Sequence, residues 1–376
     1  MLYQTHALIH LDHIRFNIEG IRRAVGNERK ILIAVKANAY GHGAIEVSRL
    51  AERIGVDWLG VATVPEGIEL RNARISLPIL KLSPAFPEEM DAAVRNQITL
   101  TVANRENVDD LQNVSRAAGV TATVHLKIDT GMGRIGVIPD DAPALAQYIE
   151  EHCPNLHLQG VFTHFPVSDE ADPIYTIGQI ERFKAAVDAI HTALGRKVEL
   201  VHASNSGAVL GHEQAWFDLV RPGIMIYGYY PDAGTPRSIP LKPGLSFLTR
   251  VSFLKKVPAG TSIGYGRTWI ASEDTWIATI PAGYADGFNR LFSNKGRVLI
   301  NGRTYPVVGR VCMDQSMVNL GPEPDVKVGD EVVLMGKSGI EEITCDEWAQ
   351  KLGTITYEVT CQINSRVERV YQGKEN

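Results

Sequence analysis

A regular alternation of short apolar segments and amphipathic segments between residues 31 and 220 most constrains the fold of this chain. Eight apolar segments are predicted to be strands, because they are short, rich in β-branched residues and bounded by turn residues. They are 31–35, 58–62, 77–80, 99–102, 123–128, 158–163, 200–202 and 217–220. Continuous apolar runs of this kind are typical of parallel strands that are covered on both faces.

The segments around these strands have helical periodicity. In residues 11–25, isoleucine and valine recur at three- and four-residue spacing, and Gly26 ends the predicted helix. The other predicted helices are 44–53, one that starts at 64, 87–95, 106–117, 142–151 and 178–194. Eight strand–helix alternations predict a (β/α)8 TIM-type barrel. A doubly wound open sheet is the alternative, but no G-x-G-x-x-G motif follows the first strand.

The alternation ends at a turn-rich linker, residues 229–236, and short segments typical of an all-β domain follow it. The predicted strands are 248–257, 275–280, 296–300, 304–308, 316–319 and 331–335, and the one predicted helix is 346–352. The sequence therefore predicts two domains, a barrel over residues 1–240 and a β-strand-rich domain over residues 241–376. A chain of 376 residues is long enough for both.

Composition argues against several classes of protein. A formal net charge of −5, without a basic stripe, argues against a nucleic-acid partner. The four cysteines are far apart and lack C-x-x-C spacing, so neither a metal site nor a disulfide framework is expected. No apolar run approaches the length of a membrane span, and residues 1–20 lack the apolar core of a signal peptide. We therefore expect a cytoplasmic protein without a metal or a membrane partner.

Lys36 follows the first predicted strand and lies within the segment A-V-K-A-N-A-Y-G-H-G, residues 34–43. In α/β barrels the carboxyl ends of the strands form the active site. An apolar neighbourhood favours the neutral amine that covalent chemistry with a carbonyl compound requires. A solvated lysine before a turn is the plain alternative.

Residues 34–43 match, position for position, the signature of the cofactor lysine in alanine racemases, and the chain resembles that family. The resemblance implies that Lys36 binds pyridoxal 5'-phosphate (PLP) covalently and that Tyr40 bonds its phosphate. The segment S-I-G-Y-G-R-T, residues 262–268, is similar to the family segment that carries a catalytic tyrosine. Tyr265 would then be the second base, on the face of the substrate opposite Lys36. Without the resemblance, a tyrosine between two glycines is usually only a turn.

The resemblance also implies roles for residues at other predicted strand ends. Arg134 would bond the phenolic oxygen of the cofactor and the substrate, His164 would lie beside the cofactor ring, and Arg221 would face its pyridine nitrogen. Lys127 is either carbamylated, as in many relatives, or a buried ion-paired lysine. The residues expected around the phosphate, besides Tyr40, are Asn205, Ser206, Gly223, Ile224 and Tyr357.

In the β-rich domain, the resemblance implies that the Met313 amide binds the substrate carboxylate and that Tyr284 and Tyr357 narrow the entrance. The implied function is PLP-dependent interconversion of L-alanine and D-alanine, which supplies D-alanine for peptidoglycan. The implied assembly is a homodimer whose active sites combine Lys36 of one chain with Tyr265 of the other. Whether the role is biosynthetic or catabolic stays open.

Three alternative functions would differ from an alanine racemase in ways that can be tested. A serine/alanine racemase of the same family would differ only in substrate preference. A non-catalytic PLP-binding protein would lack a second domain, so residues 241–376 and Tyr265 argue against it. An amino-acid decarboxylase of the same fold type would carry an acidic residue where this chain has Arg221.

Overall fold

The computed structural model describes residues 2–373, which separate into two compact units. One unit holds residues 14–242, and the other combines residues 2–13 with residues 243–373. The sequence prediction counted residues 1–240 with the barrel. Strand β1 (His6–His10) instead pairs inside the second unit, antiparallel to residues 245–248 and parallel to residues 368–372. A strand of five residues carries no local signal of partners this distant in sequence.

Residues 14–242 contain eight strands that form a parallel sheet in the order β8-β7-β6-β5-β4-β3-β2-β9. They are β2 (Lys30–Ala34), β3 (Trp58–Val61), β4 (Ile79–Lys81), β5 (Ile98–Val102), β6 (Ala122–Lys127), β7 (Leu156–Phe162), β8 (Leu200–His202) and β9 (Leu219–Val220). Hydrogen bonds from Asp218 N to Val201 O (3.0 Å) and from Arg221 N to Ser204 O (2.8 Å) join the two edges. The predicted (β/α)8 fold class is therefore confirmed.

Helices connect these strands. They are α1 (Leu11–Val25), the turn α2 (Lys36–Tyr40), α3 (Ala44–Arg53), α4 (Val64–Asn72), α5 (Pro87–Arg95), α6 (Arg105–Ala118), α7 (Ala142–His152), α8 (Ile174–Leu194) and α9 (Ser206–Gly211). All but the two short segments α2 and α9 were predicted, with bounds close to the observed ones. Inside the barrel, one cluster of buried side chains comes from five strands: Leu32, Trp58, Leu80, Leu200 and Leu219. Burial of each such side chain stabilises the fold by about 1.5–3 kcal/mol. This cluster packs five of the strands against one another, and the carboxyl ends of the strands carry the candidate site.

The second unit is mainly β, as predicted. Its strands after β1 are β10 (Leu245–Arg250), β11 (Phe253–Val257), β12 (Ser262–Ile263), β13 (Trp269–Ile270), β14 (Thr275–Ile280), β15 (Arg297–Ile300), β16 (Arg303–Val308), β17 (Ser316–Gly321), β18 (Glu331–Ser338), β19 (Glu341–Ile343) and β20 (Glu368–Gln372). Ten of the strands described in this unit form one sheet, and β12 pairs with β13. Asn301 and Gly302 have φ of +50° and +75°, which makes the turn between β15 and β16 the type I′ turn that N-G favours.

Two predictions for this unit were wrong in detail. The predicted strand 248–257 is two strands, β10 and β11, separated by Val251 and Ser252. Besides helix α10 (Cys345–Leu352), the unit contains α11 (Thr356–Cys361), which is too short to show a helical period in the sequence. Within residues 2–373, no helix is both long enough and apolar enough to cross a membrane.

Candidate active site

Lys36 begins a left-handed turn at the carboxyl end of β2. The next four residues, Ala37 to Tyr40, have φ between +52° and +54°. For residues with a Cβ atom this conformation costs about 1–2 kcal/mol each, so other contacts must hold the turn. The turn ends at Gly41, whose amide donates to Ala37 O at 3.0 Å. Strain of this kind typically marks a functional site.

Glu66 holds this turn against the neighbouring strand end. Its Oε1 accepts from the Ala37 amide at 2.7 Å, and its Oε2 accepts from the amides of Ala62 (2.8 Å) and Thr63 (3.1 Å). Thr63 and Glu66 form the capping box of α4, which in the sequence indicates only a helix start. Sequence reasoning therefore missed the second role of Glu66, because nothing local indicates that its carboxylate reaches residue 37.

Arg221 is a buried cation whose hydrogen bonds in the described part of the chain go to neutral groups. Its Nη2 donates to Thr163 O (2.8 Å) and Ala203 O (2.9 Å) and lies 3.4 Å from His164 Nδ1. Its Nη1 donates to His202 Nδ1 at 2.9 Å. Burial lowers the pKa of Arg221 to about 9, which leaves the guanidinium charged at neutral pH. The side chain is therefore fixed in direction at the carboxyl ends of β7, β8 and β9.

His164 follows β7, and its Nδ1 lies 3.4 Å from Arg221 Nη2. Burial is the largest cause that lowers the pKa of His164 well below its usual value, and the charges of Arg221, Arg134, Lys127 and Lys36 add to it. Lys127 is buried and donates to Ile128 O at 2.8 Å. Burial and the neighbouring Arg221 lower the pKa of Lys127 to about 7. Basic groups at these strand ends favour an anionic ligand.

A cluster of small and polar residues follows strands β8 and β9, close in sequence to Arg221. Ser206 Oγ accepts from the Gly223 amide at 2.9 Å and from the Met225 amide at 3.4 Å. Asn205 caps α9 by accepting from Ala208 N at 3.1 Å. A Cβ atom on Gly223 would lie 2.8 Å from the Tyr40 hydroxyl, so glycine is what allows that hydroxyl its close approach. Buried Ile224 begins the turn that follows, and the groups together could hold a phosphate.

In the second unit, Tyr265 is 71% exposed and stands between two glycines with positive φ, Gly264 (+73°) and Gly266 (+72°). It lines a cavity of about 830 Å³ within that unit. The other lining residues include Tyr284, Arg290, Arg310, Met313 and Asp314. The turns that carry Tyr284 and Met313 are hydrogen-bonded to each other: the amide of Ala285, the residue after Tyr284, donates to Met313 O at 3.0 Å. Tyr357, on α11, is partly buried in the same unit.

Asp286 and Arg366 brace the turns that carry Tyr284 and Met313. Asp286 is fully buried and accepts from Arg366 Nε at 2.7 Å and from the Gly283 amide at 2.9 Å. The same guanidinium reaches Asp314 Oδ1 at 2.9 Å, one residue beyond Met313. Sequence reasoning missed this pair, since the two residues are 80 positions apart in the sequence.

Comparison with known proteins agrees with these features. The model "Alanine racemase, N-terminal domain" matches residues 9–231, and "Alanine racemase, C-terminal domain" matches residues 245–371. The alanine racemase of Cutibacterium acnes is 50% identical over 375 residues, with 98% of both chains covered. The chain belongs to the alanine racemase family. The resemblance predicted from residues 34–43 is confirmed.

Solved structures of this family have the same fold. Alanine racemase from Clostridium difficile superposes with a TM-score of 0.95 at 40% identity, covering 99% of this chain and 96% of that one. The alanine racemase of Bacillus anthracis, solved with bound L-Ala-P, gives a TM-score of 0.93 at 36% identity, covering 98% of this chain and 95% of that one.

The residues that the family resemblance singled out fall into two sets. At the carboxyl ends of the barrel strands lie Lys36, Tyr40, Lys127, Arg134, His164, Asn205, Ser206, Arg221, Gly223 and Ile224. On the second unit lie Tyr265, Tyr284, Met313 and Tyr357. Their individual chemical roles stay predictions.

Proposed function

We propose that this chain interconverts L-alanine and D-alanine, with Lys36 and Tyr265 as the two groups that take and return the α-proton. The observation that carries the proposal is the position of Lys36 at the carboxyl end of β2, at the same end of the barrel as the buried Arg221 and its neighbour His164. A buried cation beside a strand-end lysine suits an anionic cofactor and an amino-acid carboxylate. That a relative was solved with bound L-Ala-P supports a small alanine-like ligand.

The proposed cofactor is PLP, and the residues present fit it. Lys36 supplies the amine that would link to the aldehyde, and Arg221 supplies a donor for the pyridine nitrogen. Ser206, the Gly223 amide and the Tyr40 hydroxyl lie close together and are polar groups of the kind that bind a phosphate. When bound, PLP makes the α-proton of an amino acid acidic by drawing electron density into its ring.

Arg221 would limit that electron withdrawal. A guanidinium only donates hydrogen bonds, so Arg221 leaves a ring nitrogen in front of it without a proton. Its other hydrogen bonds, to Thr163 O and Ala203 O, fix its direction. A weaker electron sink favours prompt return of the α-proton over transamination or elimination, and this is the selectivity that a racemase requires.

The residues of the second unit would select the substrate. We assign the Met313 amide and Arg134 to the substrate carboxylate, with Tyr284 and Tyr357 narrowing the approach. A narrow site rejects bulky side chains, but shape alone rejects serine only weakly, because serine differs from alanine by one hydroxyl group. Serine therefore remains the second candidate substrate. For Lys127, the nearby Arg134 supports either carbamylation or a neutral buried amine.

We further propose a cytoplasmic homodimer that supplies D-alanine for peptidoglycan. The cysteines of the described residues are free thiols, as expected in a reducing compartment. The exposed Tyr265 and its cavity give the second unit a surface that a barrel mouth of another chain could cover. Incubation of the PLP-loaded protein with L-alanine tests the activity itself: D-alanine is expected, whereas carbon dioxide with an amine, or no product, would contradict it.

Tyr265→Phe is expected to bind PLP normally and to lose alanine racemisation by about 10²–10⁴-fold, because only the proton-carrying hydroxyl is removed. Exchange of the α-proton of L-alanine with solvent deuterium, measured by NMR, should fall in proportion. Tyr305→Phe, a buried tyrosine of β16, is the matched control and should exchange at the wild-type rate. Normal exchange in Tyr265→Phe would mean that another residue is the base.

Arg221→Glu is expected to lower racemisation and to raise the yield of pyruvate from alanine. A carboxylate that can share a proton with the ring nitrogen would make the ring a stronger electron sink and lengthen the life of the deprotonated substrate. Visible spectra with alanine and a pyruvate assay measure both effects. Unchanged spectra and product ratios would show that Arg221 does not face the ring nitrogen.

A further inference from the structure

A continuous chain of polar side chains leads from Arg221 through the barrel towards its opposite end. Arg221 donates to His202 Nδ1 (2.9 Å), and His202 Nε2 lies 2.8 Å from His125 Nδ1. His125 Nε2 lies 3.3 Å from Gln159 Oε1, and Gln159 Nε2 donates to Glu199 Oε2 at 3.1 Å. We call these five residues the polar chain. It begins at the carboxyl ends of the strands and finishes at Glu199, just before β8.

The donors and acceptors of the polar chain can be assigned from its two ends. A guanidinium only donates, so His202 must accept at Nδ1 and, when neutral, carry its proton on Nε2. His125 then accepts at Nδ1 and donates from Nε2 to Gln159 Oε1. A carboxylate only accepts, so Glu199 requires the same orientation of the Gln159 amide. Both ends of the polar chain require the same donor-to-acceptor direction. Only one assignment of the protons therefore satisfies all of its hydrogen bonds.

The backbone is shaped to accommodate this chain. Val124 pairs with Leu158 and His125 pairs with Gly160, so Gln159 is an extra residue in β7. An extra residue of this kind is a β-bulge, which typically redirects a side chain. A Cβ atom on Gly160 would lie 3.0 Å from both His125 Cε1 and Nδ1, closer than ordinary van der Waals contact, so glycine gives this ring its space. The bulge and the glycine together position His125 and Gln159.

Both histidines are buried and neutral. Burial lowers the pKa of His125 to about 4 and is also the largest cause of the low pKa of His202. The ring of His202 is stacked on Phe162, with centroids 4.8 Å apart. Hydrogen bonds in such a chain strengthen one another, because each donor is polarised by the bond it accepts. A break at one point therefore weakens the bond at the far end.

We infer that Gln159 is a remote positioning residue for Arg221: through His125 and His202 it sets the direction and strength of the hydrogen bond that holds the guanidinium. This inference rests on the proposed role of Arg221 at the cofactor ring. Gln159 touches neither cofactor nor substrate under this scheme. It acts by fixing which nitrogen of each histidine carries the proton.

The proton positions can be measured in the full-length protein labelled with ¹⁵N-histidine, using His125→Gln to assign the signals. Both rings are expected to be neutral at pH about 7, with the proton on Nε2. A scalar coupling across the bond between His202 Nε2 and His125 Nδ1 is also expected. A proton on Nδ1 of either ring, or a charged ring, would overturn the inference without reference to activity.

Gln159→Leu removes both hydrogen bonds of the Gln159 amide, to His125 and to Glu199, and keeps a side chain of similar volume. It is expected to lower kcat about fivefold, because the hydrogen bond that holds Arg221 is weakened, with KM for alanine unchanged. The visible absorption band of the PLP-loaded protein should shift. The matched control is His157→Gln on β7, since His157 donates to the other oxygen of Glu199 and lies outside the path to Arg221. It should leave kcat and the band unchanged.

Arg221→Lys separates failure of this inference from failure of the proposed function. If Arg221→Lys changes kcat and the band whereas Gln159→Leu changes neither, the positioning role of Gln159 is refuted and the role of Arg221 stands. If neither variant changes them, the proposed role of Arg221 fails as well. If Gln159→Leu does not fold, the ring-nitrogen measurement on the unaltered chain decides the matter.

Discussion

Lys36→Ala is expected to lower alanine racemisation in both directions by at least about 10⁴-fold. The substitution removes two functions at once, the covalent attachment of PLP and one of the two bases. The visible absorption of the attached cofactor should be lost, and borohydride should no longer fix the cofactor to the chain. Turnover in each direction can be measured by chiral separation of alanine after incubation with either enantiomer.

Lys30→Ala is the matched control for this experiment. Lys30 begins the same strand, β2, at its other end, and its side chain is exposed. Its removal should leave both the spectrum and turnover unchanged. Near-normal turnover of Lys36→Ala would refute the proposed mechanism, whereas equal losses in both variants would indicate a general effect on β2.

The sequence was sufficient for the barrel and for the family. Strands and helices of the barrel follow from hydrophobic periodicity, which is local and repeats eight times. Lys36 follows an apolar strand, but its predicted role, like those of Arg134, His164 and Arg221, came from the family resemblance. These residues come after different strands, and parallel strands bring their carboxyl ends to one edge.

Features that depend on contacts between distant residues could not be predicted. Glu66 is visible in the sequence as part of a capping box, but its bond to the Ala37 amide depends on the left-handed turn after β2. Gln159 joins the polar chain only because a bulge shifts the register between β6 and β7. The pairing of β1 inside the second unit is likewise set by strands more than 200 residues away. Such register and long-range pairing have no periodic signature.

In the proposed dimer the two chains share their active sites, and single variants cannot test this. Tyr265 belongs to a different compact unit from Lys36, and in the shared-site arrangement each active site takes one residue from each chain. Lys36→Ala and Tyr265→Ala are each expected to be inactive alone. Each variant nevertheless keeps the residue that the other lacks.

Mixing Lys36→Ala with Tyr265→Ala under conditions that exchange subunits should therefore restore activity. With random pairing half of the dimers are mixed, and each mixed dimer has one site with both lesions and one with neither, so about a quarter of all sites should be native.

The control replaces Tyr265→Ala by the double variant Lys36→Ala/Tyr265→Ala, which can form no native site and should recover nothing. Exchange is verified by mass spectrometry of the intact dimers, with one variant isotope-labelled. If exchange is complete and activity stays absent, each site is built within one chain, because every site then keeps the lesion of its own chain in every pairing.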